Sequence, residues 1–498
     1  MTGAGGILGV WLTPAIWLAL PALFLAQGAG ALWAGLLLVA APLLALSLRG
    51  APSDPRLRAP VPLIHIAALF LAVIALIWAG LIVAGDVALR LGGPRWHGIA
   101  LAASGGLLLT AWRGAGRALP ALLMIAVLGL ALPLLLLARV AGLGPVEAWQ
   151  VVATSPSFTF PPGSPWVSEG RDLRLAQGQR PLHFQEEHRL TAVGEVSLRL
   201  STRDGRQSAE RELNLAAGQP LTVRPGDRLE ATAGTRLRFE AGRRVPGAPD
   251  TGVAWASGAT SDTRAGFLHG LGLAVTVLGG GIALLGPPLV GRPSRGALAA
   301  VGLALVAVIW LAQGWAVYTA LRAPEVYLGG ISPERLLDVP RLVFVSRLGA
   351  WRAQAMLVIA VAAGFLASTV ALRARLSAAD TTGGGEIGSD LGLWSMVFGV
   401  AALASLWAVD PWRLALAALG VAAAVLVPAA VLPTAASRPA IATAAGIASL
   451  AVFGLLLLAG RLAEPGAWLA ALCDLPALAA LPAGVLVLRL AAWRGAGA

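Results

Sequence analysis

Apolar residues run on in this chain for lengths that a soluble fold does not need. Stretches such as 62–85, 119–138 and 297–320 are apolar almost throughout, and about eighteen such residues in a row can cross a hydrocarbon core roughly 30 Å thick. In lipid the backbone must satisfy its own hydrogen bonds, so runs of this kind are helices. Candidate spans are 7–27, 29–48, 62–85, 97–112, 119–138, 266–290, 297–320, 353–373, 391–409, 411–433, 439–460 and 467–492. The fourth is short, and Pro476 and Pro482 are expected to kink the last. No positive segment precedes the first run, which therefore reads as a permanent helix rather than a cleaved signal. The expected fold class is an all-α polytopic membrane protein of about twelve transmembrane helices with one inserted extramembrane β-sandwich or barrel-like domain.

Charge is scarce and unevenly placed. Only 12% of residues are charged and 57% are hydrophobic, where a soluble domain is about 25% charged. All 37 basic residues are arginine, a bias that suits a bacterial genome rich in G and C. The net charge of +12 fits contact with anionic lipid headgroups. The arginines are scattered over loops rather than gathered on one face, which excludes nucleic acid as a partner. A single cysteine, Cys473, leaves no intrachain disulfide and no cysteine-based metal cluster. Arginines in the shortest loops, among them Arg56, Arg58, Arg113, Arg117, Arg292, Arg295 and Arg438, set the orientation. They imply a multi-pass protein of a bacterial inner membrane with both termini cytoplasmic.

The one long stretch in which charge collects, 143–262, is then periplasmic. It divides the chain into a five-helix membrane domain over 1–142, a β-rich periplasmic domain over 143–263, and a second membrane domain of about seven helices over 264–498. In the middle domain Val196, Leu198 and Leu200 alternate with Ser197, Arg199 and Ser201, the period of a half-buried strand. Asp204-Gly205 signals a hairpin, and strands are expected through 213–215, 221–223, 228–231 and 236–239. The flanks 155–165 and 242–251, rich in Pro and Gly, read as linkers. A second outer segment, 322–352, has Ser332 and Pro333 placed to start a short helix and reads as an amphipathic piece lying on the membrane surface.

Most motif-like groupings lose their meaning in context. His183-Phe184-Gln185-Glu186-Glu187-His188 lacks the spacing of a helical zinc site, and its two histidines fall on opposite faces of a strand, so a solvated turn is expected and no metal site. Gly383–Gly388 matches a dinucleotide-binding pattern in letters only, since it sits in a loop between spans. Gly279, Gly280 and Gly281 permit close helix packing. Ionisable groups within or at the edge of spans are few: His65, His269 and Asp474, with Asp86 and Asp410 at span ends. That scarcity argues against a gradient-driven carrier.

Val196–Leu229, with Ser201, Asp204-Gly205, Leu213-Asn214, Gln219-Pro220-Leu221 and Gly226, resembles a stretch of the periplasmic domain of ResB-type cytochrome c maturation proteins. The similarity covers some 35 residues. Members of that family place a β-rich outer domain between apolar helices and handle haem with membrane histidines, which here implies His65 and His269 as haem ligands. They have far fewer spans than this chain, and the tryptophan-rich motif of their partner proteins is missing.

Several functions fit these residues. The first is a non-enzymatic scaffold, assembly factor or accessory subunit of an envelope or respiratory complex, with no catalytic residues and no cofactor. It would dock a protein partner through Phe158, Phe160, Trp166 and Trp255 of the β domain. The second is an enzyme acting on a lipid-linked substrate such as a glycan precursor, with Arg322, Arg335, Arg341 and Arg347 on the pyrophosphate. Haem handling is a third, and a pore or flippase for a lipidic solute a fourth.

Overall fold

The computed structural model describes residues 8–47, 63–112, 114–161, 165–167, 182–204, 207–231, 235–257, 263–285, 295–328, 331, 333–344, 347–379, 391–407, 409–431, 438–462 and 467–496. Among them, six helices are long and apolar enough to cross a membrane: Leu63–Arg90, Ala115–Ala141, Ala299–Arg322, Leu348–Leu376, Pro411–Ala429 and Pro439–Gly460. Four shorter apolar helices accompany them, at Pro14–Gln27, Gly270–Gly281, Leu391–Ala404 and Ala477–Trp493. The chain is a helical membrane protein with a small sheet region.

Helix α1 (Pro14–Gln27) lies at the centre. It is apolar on every side and buried along nearly its whole length, as a helix enclosed by other helices must be. The first apolar run is not one helix, however. Helical turns at residues 8–11 stop at Thr13, which is extended (φ −64°, ψ 141°), and α1 restarts at Pro14. Proline has no N–H and disfavours helical geometry in the residue before it. The same effect divides the last run: α15 (Ala467–Asp474) ends before Pro476 and α16 (Ala477–Ala496) follows, with Pro482 tolerated inside it.

Helix α1 packs against α3 (Leu63–Arg90), α9 (Arg295–Arg322), α11 (Arg347–Ala379) and α13 (Pro411–Val431), and α2 (Leu32–Ser47), α4 (Arg95–Ala111), α5 (Ala115–Ala141), α8 (Thr263–Leu285), α12 (Leu391–Ala404) and α14 (Pro439–Leu462) complete the bundle. The glycine run of α8 is used within the molecule. A side chain at Gly280 would meet the carbonyl oxygen of Leu419 at 2.3 Å and one at Gly279 the Cβ of Ala423 at 2.9 Å, so both glycines let α8 lie against α13.

Helix α6 (Pro145–Thr154) leads into the sheets. One sheet has strand order β1 (Pro165–Val167), β8 (Arg236–Phe239), β3 (His188–Ala192), β6 (Pro220–Val223). The other has β2 (Leu182–His183), β7 (Arg228–Ala231), β4 (Val196–Asp204), β5 (Gln207–Leu215). All pairs are antiparallel. Burial alternates along β3 and β8, and the buried Leu190, Leu198, Val223, Leu229, Leu237 and Phe239 belong to one hydrophobic cluster. The β4–β5 pairing extends to Asp204 opposite Gln207, and Gly205 of the expected hairpin turn lies outside the described residues.

Two expectations about irregular segments are corrected. The flanks of the domain are not free linkers: Phe160 N–H donates to Arg243 O, Gly242 N–H to Phe160 O and Val245 N–H to Phe158 O, a two-stranded pairing with Thr159 opposite Arg244. Nor do the apolar side chains described over 326–339 of the 322–352 segment face a surface. Its 3₁₀ turns Pro324–Tyr327 and Pro333–Asp338 and helix α10 (Val339–Val343) place Val326, Tyr327, Leu336, Leu337 and Val339 in the core. Non-helical backbone at the end of a membrane bundle is stable when protein covers it, and here it is covered.

Candidate functional site

The site is best built from one carbonyl. In the last turn of α1 the intrahelical donors run out, and the Leu25 oxygen accepts from two distant side chains: Trp255 Nε1 at 2.9 Å and Tyr327 Oη at 3.0 Å. Gly28, at φ +53°, makes this possible, because a Cβ there would stand 1.6 Å from the Trp255 carbonyl oxygen. Trp255 lies in α7 (Gly252–Ser257), directly after the β domain, and Tyr327 in the segment between α9 and α11. Trp149 of α6 packs on Trp255 with centroids 4.9 Å apart, and Phe158 on Tyr327 at 5.6 Å. Burial pushes the Tyr327 phenol well above the usual tyrosine range, so it stays a neutral donor. The chain leaving the sheets is thus fastened to the end of α1 through Trp255, and the chain entering them packs on the two donors through Trp149 and Phe158.

Charged residues strengthen the same end. Arg90 of α3 pairs with Asp338 at 2.6 Å, and Arg95 of α4 with the buried Asp86 at 3.0 Å. Arg322 donates to the Val140 and Ala141 carbonyls that end α5, and Tyr318 Oη to Leu143 O at 2.9 Å. Arg335 donates to Val326 O and Leu328 O. At the opposite end the pattern repeats: Arg373 donates to Trp112 O after α4, and Arg375 to the Ala283 and Leu284 carbonyls of α8. Arginine here completes helix C-termini, where carbonyls lack donors and the dipole favours a cation.

Beyond this collar the sheets leave one long edge open. Strand β5, nine residues, pairs only with β4 among the described strands. Across its solvent face Glu212 stands opposite Arg199, and Arg199 opposite Glu230 on β7. Arg199 Nη2 and Glu212 Oε1 are 3.2 Å apart, and the surrounding carboxylates raise the arginine's affinity for its proton. Glu210, on the same face, stands opposite Ser201.

The residues proposed from sequence are dispersed by this arrangement. Phe158, Phe160 and Trp255 are 4%, 1% and 2% exposed. They are core and clasp residues, which corrects the expectation of an exposed aromatic surface; Phe160 stacks on Phe239 at 4.5 Å. Trp166 holds a place in β1 opposite Leu237, and its side chain lies outside the described residues. Arg322 and Arg335 are engaged with backbone carbonyls, Arg341 is exposed, and the Arg347 side chain lies outside the described residues. His65 is buried at the start of α3, with no hydrogen-bond partner for Nδ1. The side chain of His269 and the glycine run 383–388 are outside the described residues. Among the described residues no group of three His, Cys, Asp or Glu side chains is arranged to hold a metal.

Three features were missed by sequence reasoning. Asp86 is four residues inside α3, and its counter-ion Arg95, nine positions on across a helical hairpin, was the available signal. The Leu25 clasp joins residues 230 and 302 positions apart, and no local pattern announces it. His188, expected in a solvated turn, is 1% exposed and boxed by Phe184, Phe160 and Phe239. Its Nδ1 has no partner, and Glu186 lies 3.8 Å from Nε2 while accepting from the Arg244 N–H at 2.6 Å. Burial is the main cause that lowers its pKa.

No protein-family profile matches the chain, and no curated protein matches it in sequence. A crystal structure of a manganese transporter from Eremococcus coleocola, in complex with an aromatic bis-isothiourea substituted compound, aligns over 98% of this chain and 94% of its own, at 14% identity and a TM-score of 0.38. At that score the likeness carries no argument about fold or cargo.

Proposed function

We propose that this protein is a non-enzymatic inner-membrane scaffold or accessory subunit that presents its β domain, a sandwich-like body on the periplasmic side, to a protein partner. The observation that supports it is the contrast between the domain's two sides: its exit is bonded to the buried α1 through Trp255 and its entry packs on the same clasp through Trp149 and Phe158, yet the β5 edge is open among the described strands. A platform that must hold a partner at a fixed place above a membrane needs that combination, and an open sheet edge accepts an added strand. Twelve spans with both termini cytoplasmic complete the reading, and arginine placement supports the orientation.

In-cell photocrosslinking tests the docking. A benzophenone amino acid at Ala209 or Asn214 on β5 should give one discrete protein adduct, and the same group at the exposed Val193 should not. Absence of an adduct from β5 overturns the reading. Reporter fusions after Arg58, Arg117, Arg295 and Arg438 should all report cytoplasm, and a periplasmic signal from one of them breaks the orientation.

A second reading, passage of a neutral lipidic solute without ion coupling, draws on the break before α1. Trp11 Nε1, Thr13 Oγ1 and Trp17 Nε1 are buried there without hydrogen-bond partners, and Trp11 and Trp17 wall an apolar crevice with Leu38 and Ile309. Interrupted helices of this kind line substrate paths in transporters. Purified protein in vesicles should then move a fluorescent lipid between leaflets without a gradient, and equal rates in protein-free vesicles reject it.

The other two readings have less to stand on. A pyrophosphate site needs guanidinium groups free to converge, and Arg322 and Arg335 already hold helix ends. Haem ligation by His65 and His269 would be visible as a Soret band in purified protein.

A further inference from the structure

We infer that the open edge of β5 recognises an extended segment of another protein that carries two basic residues two positions apart. The inference rests on the docking reading above and names the partner's chemistry at that edge. Side chains two apart on a strand share a face, so Glu210 and Glu212 project together on the solvent side of β5. Behind Glu212 the charges alternate across three strands, Glu230 on β7, Arg199 on β4 and Glu212 on β5. The next strand outward continues that alternation with a base opposite Glu212. A second base, two residues along, meets Glu210, whose neighbour on β4 is the uncharged Ser201. Cross-strand pairs of opposite charge stabilise a sheet and like charges oppose it.

The same residues argue against a second copy of this chain as the occupant. Antiparallel pairing of two β5 strands over their whole length sets Arg211 against Arg211 and Glu210 against Glu212, like charge against like. Charges on an edge strand suppress indiscriminate pairing, and here they leave one complementary pattern permitted. Ala209 through Glu212 are exposed, and nothing else in the described chain pairs with that edge.

The test uses the full-length protein in lipid nanodiscs and two fluorescent peptides, one alternating valine with arginine and one alternating valine with glutamate. Anisotropy titrations should show the arginine peptide binding about tenfold or more tightly than the glutamate peptide, with the difference shrinking as salt is added. The double variant Glu210→Arg, Glu212→Arg should reverse the preference, and Glu210→Gln, Glu212→Gln should abolish it. Both sites are on the surface, and unchanged melting of the variants verifies that the fold is kept. Equal binding of the arginine peptide by wild type and the reversed variant overturns the inference. So does a failure of both peptides to bind while the β5 photocrosslink persists in the reversed variant, a result that leaves docking intact with a different partner chemistry. Loss of peptide binding together with absence of any β5 adduct overturns the inference and the docking reading alike.

Discussion

The helical bundle and the β domain use charge in opposite ways. In the bundle, Arg322, Arg373 and Arg375 close helix ends, and Arg90 and Arg95 are matched to Asp338 and Asp86. Their charges are taken up by backbone and partners. In the domain, Glu210, Glu212, Glu230 and Arg199 stand on an exposed sheet face where solvent screens them. An arginine between two membrane spans is therefore a weak sign of ligand binding in this protein, whereas a charged strand face is a stronger one. The difference follows from the solvent: a bare helix terminus near lipid costs far more than one in water, so the bundle consumes its cations first.

Substitutions can break that contrast, beginning with the joint between the regions. Trp255→Ala removes a buried indole and one of the two donors to Leu25, and should cost about 3–5 kcal/mol. Thermal melting in detergent reads the loss, and proteolysis should move to the chain around residue 257. Stability within error of wild type would show that the clasp does not join the regions.

The buried pair in the bundle comes next. Arg95→Ala takes the guanidinium partner from a carboxylate that is almost wholly buried, and a cost of about 3 kcal/mol is expected. Asp86→Asn, Arg95→Gln together should recover most of it, since a neutral pair needs no counter-charge. Failure of the double variant to recover assigns Asp86 a role beyond the pair.

A smaller effect separates the regions by pH. Burial holds the His188 pKa below its ordinary 6.5. The unfolded chain takes up the proton as pH falls through about 6.5 and the folded domain refuses it. Stability is therefore full above that value and declines below it, by up to about 1.4 kcal/mol per pH unit, until the folded pKa is reached. His188→Phe should remove this part of the slope. Hydrogen exchange of the β strands against pH, in wild type and variant, reads it separately from the bundle, and an identical slope in both would exclude His188 as its source.

The smallest effect is expected at the open edge. Glu212→Ala breaks an exposed ion pair and should leave the melting curve unchanged, because such pairs contribute little to folding. Its consequence should appear only in peptide binding, and a clear loss of stability would show that the ladder is structural rather than a recognition surface.

Period made much of this architecture legible. The alternation at Val196, Leu198 and Leu200 coincides with β4, and six of the apolar runs coincide with helices long enough to cross a membrane. Short strands defeated the same reasoning: β2 has two residues and β1 three, too few to show a period. Phe158 and Phe160, set among Pro and Gly, looked like exposed anchors because the residues that cover them, Tyr327 and Phe239, come from other parts of the chain. The interruption at Thr13 was visible in Pro14, but long apolar runs draw attention to length rather than continuity.

The shared carbonyl of Leu25 also sets a schedule for biogenesis. Its partners lie 230 and 302 residues further along the chain. At a synthesis rate of about 5–20 residues per second, the second is made roughly 15–60 s after Leu25. For that interval α1, which ends enclosed by other elements, waits with its last turn unfinished. The clasp on α1 is complete only once Tyr327 has been made, and a nascent chain halted before residue 327 should leave α1 open to protease or to a thiol probe placed at Gln27.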